Sequence, residues 1–179
     1  MEELAAGWET IRALTPRAEY AVEASTPCVH RPRSLVVCAL AAACLGDERS
    51  ARRLEDAAAG LGAEEYGRVS DARIRLALAR GNLEEVARLV DQADAPRKTL
   101  IRSTKLAPIA ARLEALAALG RGDALEAEAA RWLQPGTYLE PFALRALGTV
   151  RHDDELLASA ASRFEAMGLD WHAARTRPT

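Results

Sequence analysis

Residues 73–94 read R-I-R-L-A-L-A-R-G-N-L-E-E-V-A-R-L-V-D-Q-A-D, and this stretch decides the fold. Its first half, with Val69, Ala72, Ile74, Leu76, Ala77, Leu78 and Ala79, is apolar over a wide arc, which predicts a helix from Glu64 to Arg80 sandwiched between neighbours. Its second half places Leu83, Val86, Ala87 and Val90 at i, i+3, i+4, i+7 and continues to Ala93, the single stripe of a helix buried on one face. Between them Gly81 can take the left-handed conformation that ends a helix, and Asn82 with Glu85 forms a capping box that starts the next. Two antiparallel helices joined without spare residues follow.

Composition extends this reading to the whole chain. Of 179 residues 49% are apolar but only 4% aromatic. A core built mainly of Ala and Leu suits helices, because short side chains let helix axes approach and strands lack the β-branched and aromatic residues they favour. A chain of this length buries a core without a metal or disulfide staple. With 24 basic and 26 acidic residues the net charge is −2, which offers no global field for nucleic acid or an anionic membrane. The N-terminal M-E-E-L-A-A-G-W-E-T lacks the basic-then-apolar pattern of a signal peptide, and the longest apolar run, Leu35 to Leu45, is far shorter than the roughly 20 residues of a membrane span. A soluble, cytoplasmic protein is expected. Cys28, Cys38 and Cys44 are expected as reduced thiols that pack as small apolar groups.

In chain order, Glu2 to Leu14 predicts an amphipathic helix with Leu4, Trp8, Ile11 and Leu14 on one side. Thr15-Pro16 predicts a cap and first helical residue for a second helix to about Ala24, so residues 1–25 form an N-terminal hairpin. The segment S-T-P-C-V-H-R-P, Ser25 to Pro32, is the clearest break. From residue 33 to 179 the pattern is a repeat stack. Helices are predicted at Ser34–Leu45, Glu48–Leu61, Glu64–Arg80, Leu83–Ala93, Thr104–Leu119, Ala124–Leu133, Tyr138–Gly148 and Asp153–Met167, closed by a capping C-terminal segment, Leu169–Arg177.

Stop-and-cap junctions at Gly46-Asp47, Gly81-Asn82 and Gly122-Asp123 lie 35 and 41 residues apart, and a fourth turn, near His152-Asp153, comes 30 later. Helical hairpins recurring at roughly 34 to 47 residues are the signature of tetratricopeptide-like solenoids, in which each hairpin buries its apolar face against its neighbours. The unit R-G-N-L-E-E-V-A-R-L-V-D-Q-A-D resembles the second half of a tetratricopeptide repeat, with small residues at Ala93, Ala51 and Ala127 in fitting places. The first helices lack the Trp, Leu and Gly signature; Ile74 and Ala39 stand where the early Gly belongs. The fold class expected is therefore all-α, a right-handed α-solenoid of about four to five degenerate antiparallel hairpins in one domain. The run Y-L-E-P-F-A-L-R-A-L-G, with D-D-E-L-L and R-F-E-A-M-G-L-D-W-H-A-A-R-T-R after it, Tyr138 to Arg177, is similar to the end of the helical-repeat region of bacterial multidomain adenylate/guanylate cyclase and AAA-type NTPase signalling proteins. That resemblance implies a regulatory or protein-binding role with no catalytic residues. The G-x-x-x-x-G-K-[ST] loop of such NTPases is missing from this sequence.

Chemistry-bearing residues are sparse. Cys28-Val29-His30 lacks zinc-site spacing, His152-Asp153-Asp154-Glu155 reads as acids complementing a helix start, and Trp171-His172 reads as an aromatic cap on the last repeat. No metal or cofactor is expected. Ser70-Asp71 and Ser103-Thr104 have no elbow or Gly-rich turn around them, so no enzyme is expected. One local field stands out: between Asp94 and Glu114 there is no acid, whereas Arg97, Lys98, Arg102, Lys105 and Arg112 all fall there, including both lysines of the chain. Lys105 and Arg112 are seven apart, as are Arg68 and Arg75 in the preceding first helix. If first helices line a concave face, Arg68, Arg75, Arg102, Lys105 and Arg112 form a basic ladder suited to acidic side chains or a C-terminal carboxylate of a protein or peptide. Nucleic acid is a weaker partner, since no aromatics interleave the cations. The apolar faces around Trp8 and Trp171 leave room for a homo-oligomer. The alternative role is a structural spacer with no specific ligand.

Overall fold

The computed structural model describes residues 5–24, 31–67, 69–94 and 106–177. Helices are the only regular elements among them, without a strand. None of these helices is long and apolar enough to cross a membrane. The chain divides into two compact units, Met1–Glu85 and Val86–Thr179.

The first unit comprises α1 (Trp8–Ala13), α2 (Thr15–Glu23), α3 (Arg31–Cys44), α4 (Glu48–Ala59), α5 (Ala63–Gly67) and α6 (Ser70–Ala79). Helix α3 is its hub, packed on by α1, α2, α4 and α6. That role follows from a sequence apolar on every side, which buries Leu35, Val36, Cys38, Ala39, Leu40, Ala41 and Ala42. Each buried leucine contributes roughly 2 kcal/mol, while the alanines let neighbouring axes come close. Cys38 is buried and Cys44 half-buried, and burial raises the Cys38 thiol above its ordinary range against the opposing hydrogen bond from Thr15.

Several boundaries differ from expectation. Glu2 to Leu4 of the expected first helix lie outside the described residues; Ala6 is left-handed and Trp8–Ala13 is helical after it, with Trp8 and Ile11 buried as expected but Leu14 43% exposed. Thr15 is helical and Leu14 takes the cap position, because α1 and α2 are joined through that one residue. Helix α3 already includes Arg31, Pro32 and Arg33 ahead of the expected Ser34. The helix expected from Glu64 to Arg80 is two helices, broken between Gly67 and Ser70. Gly67 has little helix preference, and Val69 leaves helical geometry (φ −106°, ψ 33°) with its side chain buried.

The second unit takes α7 (Leu83–Asp94) from Val86 onward, then α8 (Leu106–Ala118), α9 (Gly122–Ala129), α10 (Glu140–Arg151), α11 (Asp154–Ala166) and α12 (Asp170–Thr176). Helix α8 packs on α9 and α10, α9 on α10, α10 on α11, and α11 on α12. Its fully buried side chains include Leu113, Leu116, Leu125, Phe142, Phe164 and His172. In α7 the buried face is Val86, Leu89 and Val90; Leu83 and Ala93 of the expected stripe are exposed. Gly148, expected as a helix end, lies inside α10, where an added Cβ would meet Leu157 Cγ at 3.0 Å and Asp153 O at 3.1 Å.

One junction recurs. At Gly46 (φ 81°) the Gly46 N–H donates to Ala43 O at 3.1 Å and Asp47 N–H to Ala42 O at 2.9 Å. The same pair forms at Gly81, onto Leu78 O and Ala77 O, and at Gly120, onto Ala117 O and Leu116 O. This is the Schellman stop, which requires a left-handed residue. Gly120 rather than Gly122 therefore ends α8, Arg121 is the cap, and Asp123 sits inside the first turn instead of capping it. At the fourth junction His152 takes the left-handed conformation (φ 52°), and Asp153 N–H reaches Gly148 O at 2.9 Å. Asp47, Asn82 and Asp153 each accept a backbone N–H from the following helix.

Candidate functional site

Of the five basic residues expected to form a ladder, Arg68, Arg102 and Lys105 lie outside the described residues. Arg75, in α6 of the first unit, is buried at 6% exposure. Arg112, in α8 of the second unit, is half-buried, with Nε 3.6 Å from Glu128 Oε2 across the α8–α9 hairpin. Both described members of the ladder are thus drawn into the fold: Arg75 by burial, Arg112 by a carboxylate.

The charge of the first unit is organised instead around α4 and α6. Glu48 and Glu55 are two helical turns apart on α4, and Arg73 and Arg80 are spaced alike at α6. Arg80 Nη1 donates to Glu55 Oε2 at 2.6 Å, and its Nε lies 3.0 Å from Glu48 Oε1. Tyr66 Oη donates to Glu55 at 3.1 Å, its ring lies 4.1 Å beneath the Arg73 guanidinium, and Arg73 Nη2 donates to Glu85 at 3.0 Å. Burial and the Glu55 carboxylate push the Tyr66 hydroxyl up to about 12. Partial burial works against ionisation of Glu48, but Arg52 and Arg80 outweigh it and hold the carboxyl below its usual range. Nearby, Arg33 Nη1 contacts both oxygens of the buried Asp71, at 2.9 and 2.8 Å, tying α3 to α6.

In the second unit the sequence reading missed a more buried cluster. Arg145 of α10 donates from Nη2 to Glu114 of α8 and from Nη1 toward Nδ1 of His172, 3.2 Å away in α12. Its guanidinium lies 5.0 Å from the Phe164 ring centre. His172 is 1% exposed, stacked on Phe164 (5.1 Å between centroids) and edge-on to Phe142 (5.0 Å). The deep aromatic of the last helix is thus His172, with Trp171 half-buried beside it. The only signal in the sequence was Arg145 one turn after Phe142, which periodicity alone assigns to no partner. Asp153, Asp154 and Glu155 do stand at the start of α11, where acids complement the helix dipole.

The charged residues in these two clusters are paired across neighbouring helices, an arrangement that fastens helix to helix. Among the described residues no group of three His, Cys, Asp or Glu side chains could hold a metal ion. No protein-family model, curated protein or solved structure matches the chain.

Proposed function

We propose that this chain is a non-enzymatic, tetratricopeptide-like right-handed α-solenoid that binds an acidic protein segment, in cis to a signalling NTPase or in trans. The observation that supports it most is the recurring junction: left-handed residues at 46, 81, 120 and 152, spaced 35, 39 and 32 residues apart, with a further stop of the same kind at Gly168 before the last helix. The contacts within each unit have the order expected of stacked hairpins, since α3 packs on both α4 and α6 and α8 on both α9 and α10. Such stacks present extended surfaces for peptides. The acid-free segment with Arg97, Lys98, Arg102, Lys105 and Arg112 supplies the charge that would select carboxylates.

Binding of short fluorescent Asp/Glu-rich peptides, with matched Asn/Gln peptides as controls, tests this reading. The acidic peptides should bind and the neutral ones should not, and Arg102→Glu with Lys105→Glu should weaken binding about tenfold or more at an unchanged melting temperature. Binding that ignores charge, or a parallel loss of stability, contradicts it. A structural spacer is the second reading, favoured by the use of Arg75 and Arg112 inside the fold; it predicts no binding by either peptide set.

A further inference from the structure

Helix α12 is held to the second unit by one face, on which Leu169, His172, Ala173 and Thr176 are 1–5% exposed. His172 is the titratable member of that face. A guanidinium can only donate, so the 3.2 Å contact from Arg145 Nη1 makes His172 Nδ1 the acceptor and leaves the ring neutral, with its proton on Nε2. A second proton at Nδ1 would aim one donor at another, and one cation at another, inside a pocket walled by Phe142 and Phe164. The ring meets Arg145 and Phe142 from α10, Phe164 from α11 and Trp171 from α12, while the Thr176 hydroxyl donates to the His172 carbonyl. Glu114 of α8 reaches the cluster through its ion pair with Arg145. At the rim Arg163 of α11 pairs with Glu140 and Arg177 with Glu165, Arg175 covers the Trp171 ring, and the carboxylates Asp154 and Glu155 of α11 and Asp170 of α12 stand in the first turns of their helices.

We infer that His172 is the latch of an acid-sensitive terminal helix: its neutral ring docks α12 on α10 and α11, and its protonation releases α12. The sign follows from the proton count. A released imidazole is solvated and takes up a proton near pH 6.5, whereas the docked ring has no lone pair to spare, so the released form binds more protons and gains as pH falls. Docking is complete above that pH and weakens about tenfold per pH unit below it, within a window that lies above the range where ordinary carboxylates titrate.

Hydrogen exchange of the full chain, read on residues 169–177 and corrected for intrinsic rates, tests the latch together with NMR of the His172 ring. At pH 7.5 the ring should be the neutral Nε2–H form; from pH 7.5 to 5.0 α12 protection should fall about 30-fold while α10 keeps its own. His172→Gln, whose amide oxygen accepts the same Arg145 N–H without titrating, should flatten that response. Protection in the wild-type chain that is indifferent to pH overturns the inference, as does a charged His172 ring in a still-protected helix. So does a His172→Gln chain that loses α12 in step with wild type. If His172→Gln fails to dock α12 even at pH 7.5, the wild-type data decide: ring protonation and loss of protection must share one midpoint, and two separate midpoints overturn the latch.

Discussion

Arg145 touches three elements besides its own: Glu114 of α8, Phe164 of α11, and His172 with Thr176 of α12. Its side chain is 14% exposed and that of Glu114 19%, so removing one partner leaves the other charge largely desolvated. Arg145→Ala should therefore cost about 3 kcal/mol in urea unfolding, whereas Arg145→Met combined with Glu114→Leu should recover most of the loss, because an apolar pair needs no compensating charge. A double variant as unstable as the single one contradicts this account. Tyr66 gives a second test at this scale. Its ionisation is raised to about 12, so the stability it contributes is fully present below about pH 10, the ordinary tyrosine value, and is lost as pH rises through 12. The difference in tyrosine absorbance between wild type and Tyr66→Phe should show a titration near pH 12; a midpoint near 10 would mean that the Glu55 contact and the burial are not maintained.

At the scale of elements the junctions carry the fold. His152 is held left-handed without the freedom of glycine, so His152→Gly should raise stability by about 1 kcal/mol, and Asp153→Ala, which removes an acceptor for Glu155 N–H and Leu156 N–H, should lower it by about 1 kcal/mol. Both are read by thermal or urea unfolding, and equal signs for the two would contradict the junction geometry. Gly148 is a different case: its conformation is ordinary, but Leu156 and Leu157 of α11 approach so closely that Gly148→Ala should cost about 1–3 kcal/mol by overpacking. The two kinds of glycine differ in how well the sequence shows them. A glycine followed by Asp or Asn announces a stop and a cap, which is why the turns after α3 and α6 were legible. Gly120-Arg121-Gly122-Asp123 shows that signal only at Gly122, yet the bond from Arg121 N–H to Leu116 O places the stop at Gly120, which no periodicity shows. The break between α5 and α6 was hidden for a related reason, since the apolar pattern runs on through Val69, which is buried although it is not helical.

For the molecule as a whole, the all-helical class was legible in an alanine- and leucine-rich composition, and the hub role of α3 in its unbroken apolar run. The ionic clusters were not, because Arg145 lies 31 positions from Glu114 and 27 from His172, and no local pattern encodes partners that distant. The basic ladder illustrates the converse: a seven-residue spacing placed Arg75 and Arg112 on helix faces, but burial and the Glu128 carboxylate decide what those faces meet. The functional proposal accordingly leans on the acid-free segment, whose charge is a property of the sequence itself. Its most direct test is a map of backbone amide NMR shifts in the full chain during titration with an Asp/Glu-rich peptide. The account predicts saturable shifts concentrated at residues 97–112, abolished by Arg102→Glu with Lys105→Glu; shifts confined to other helices, or none at saturating peptide, would contradict it.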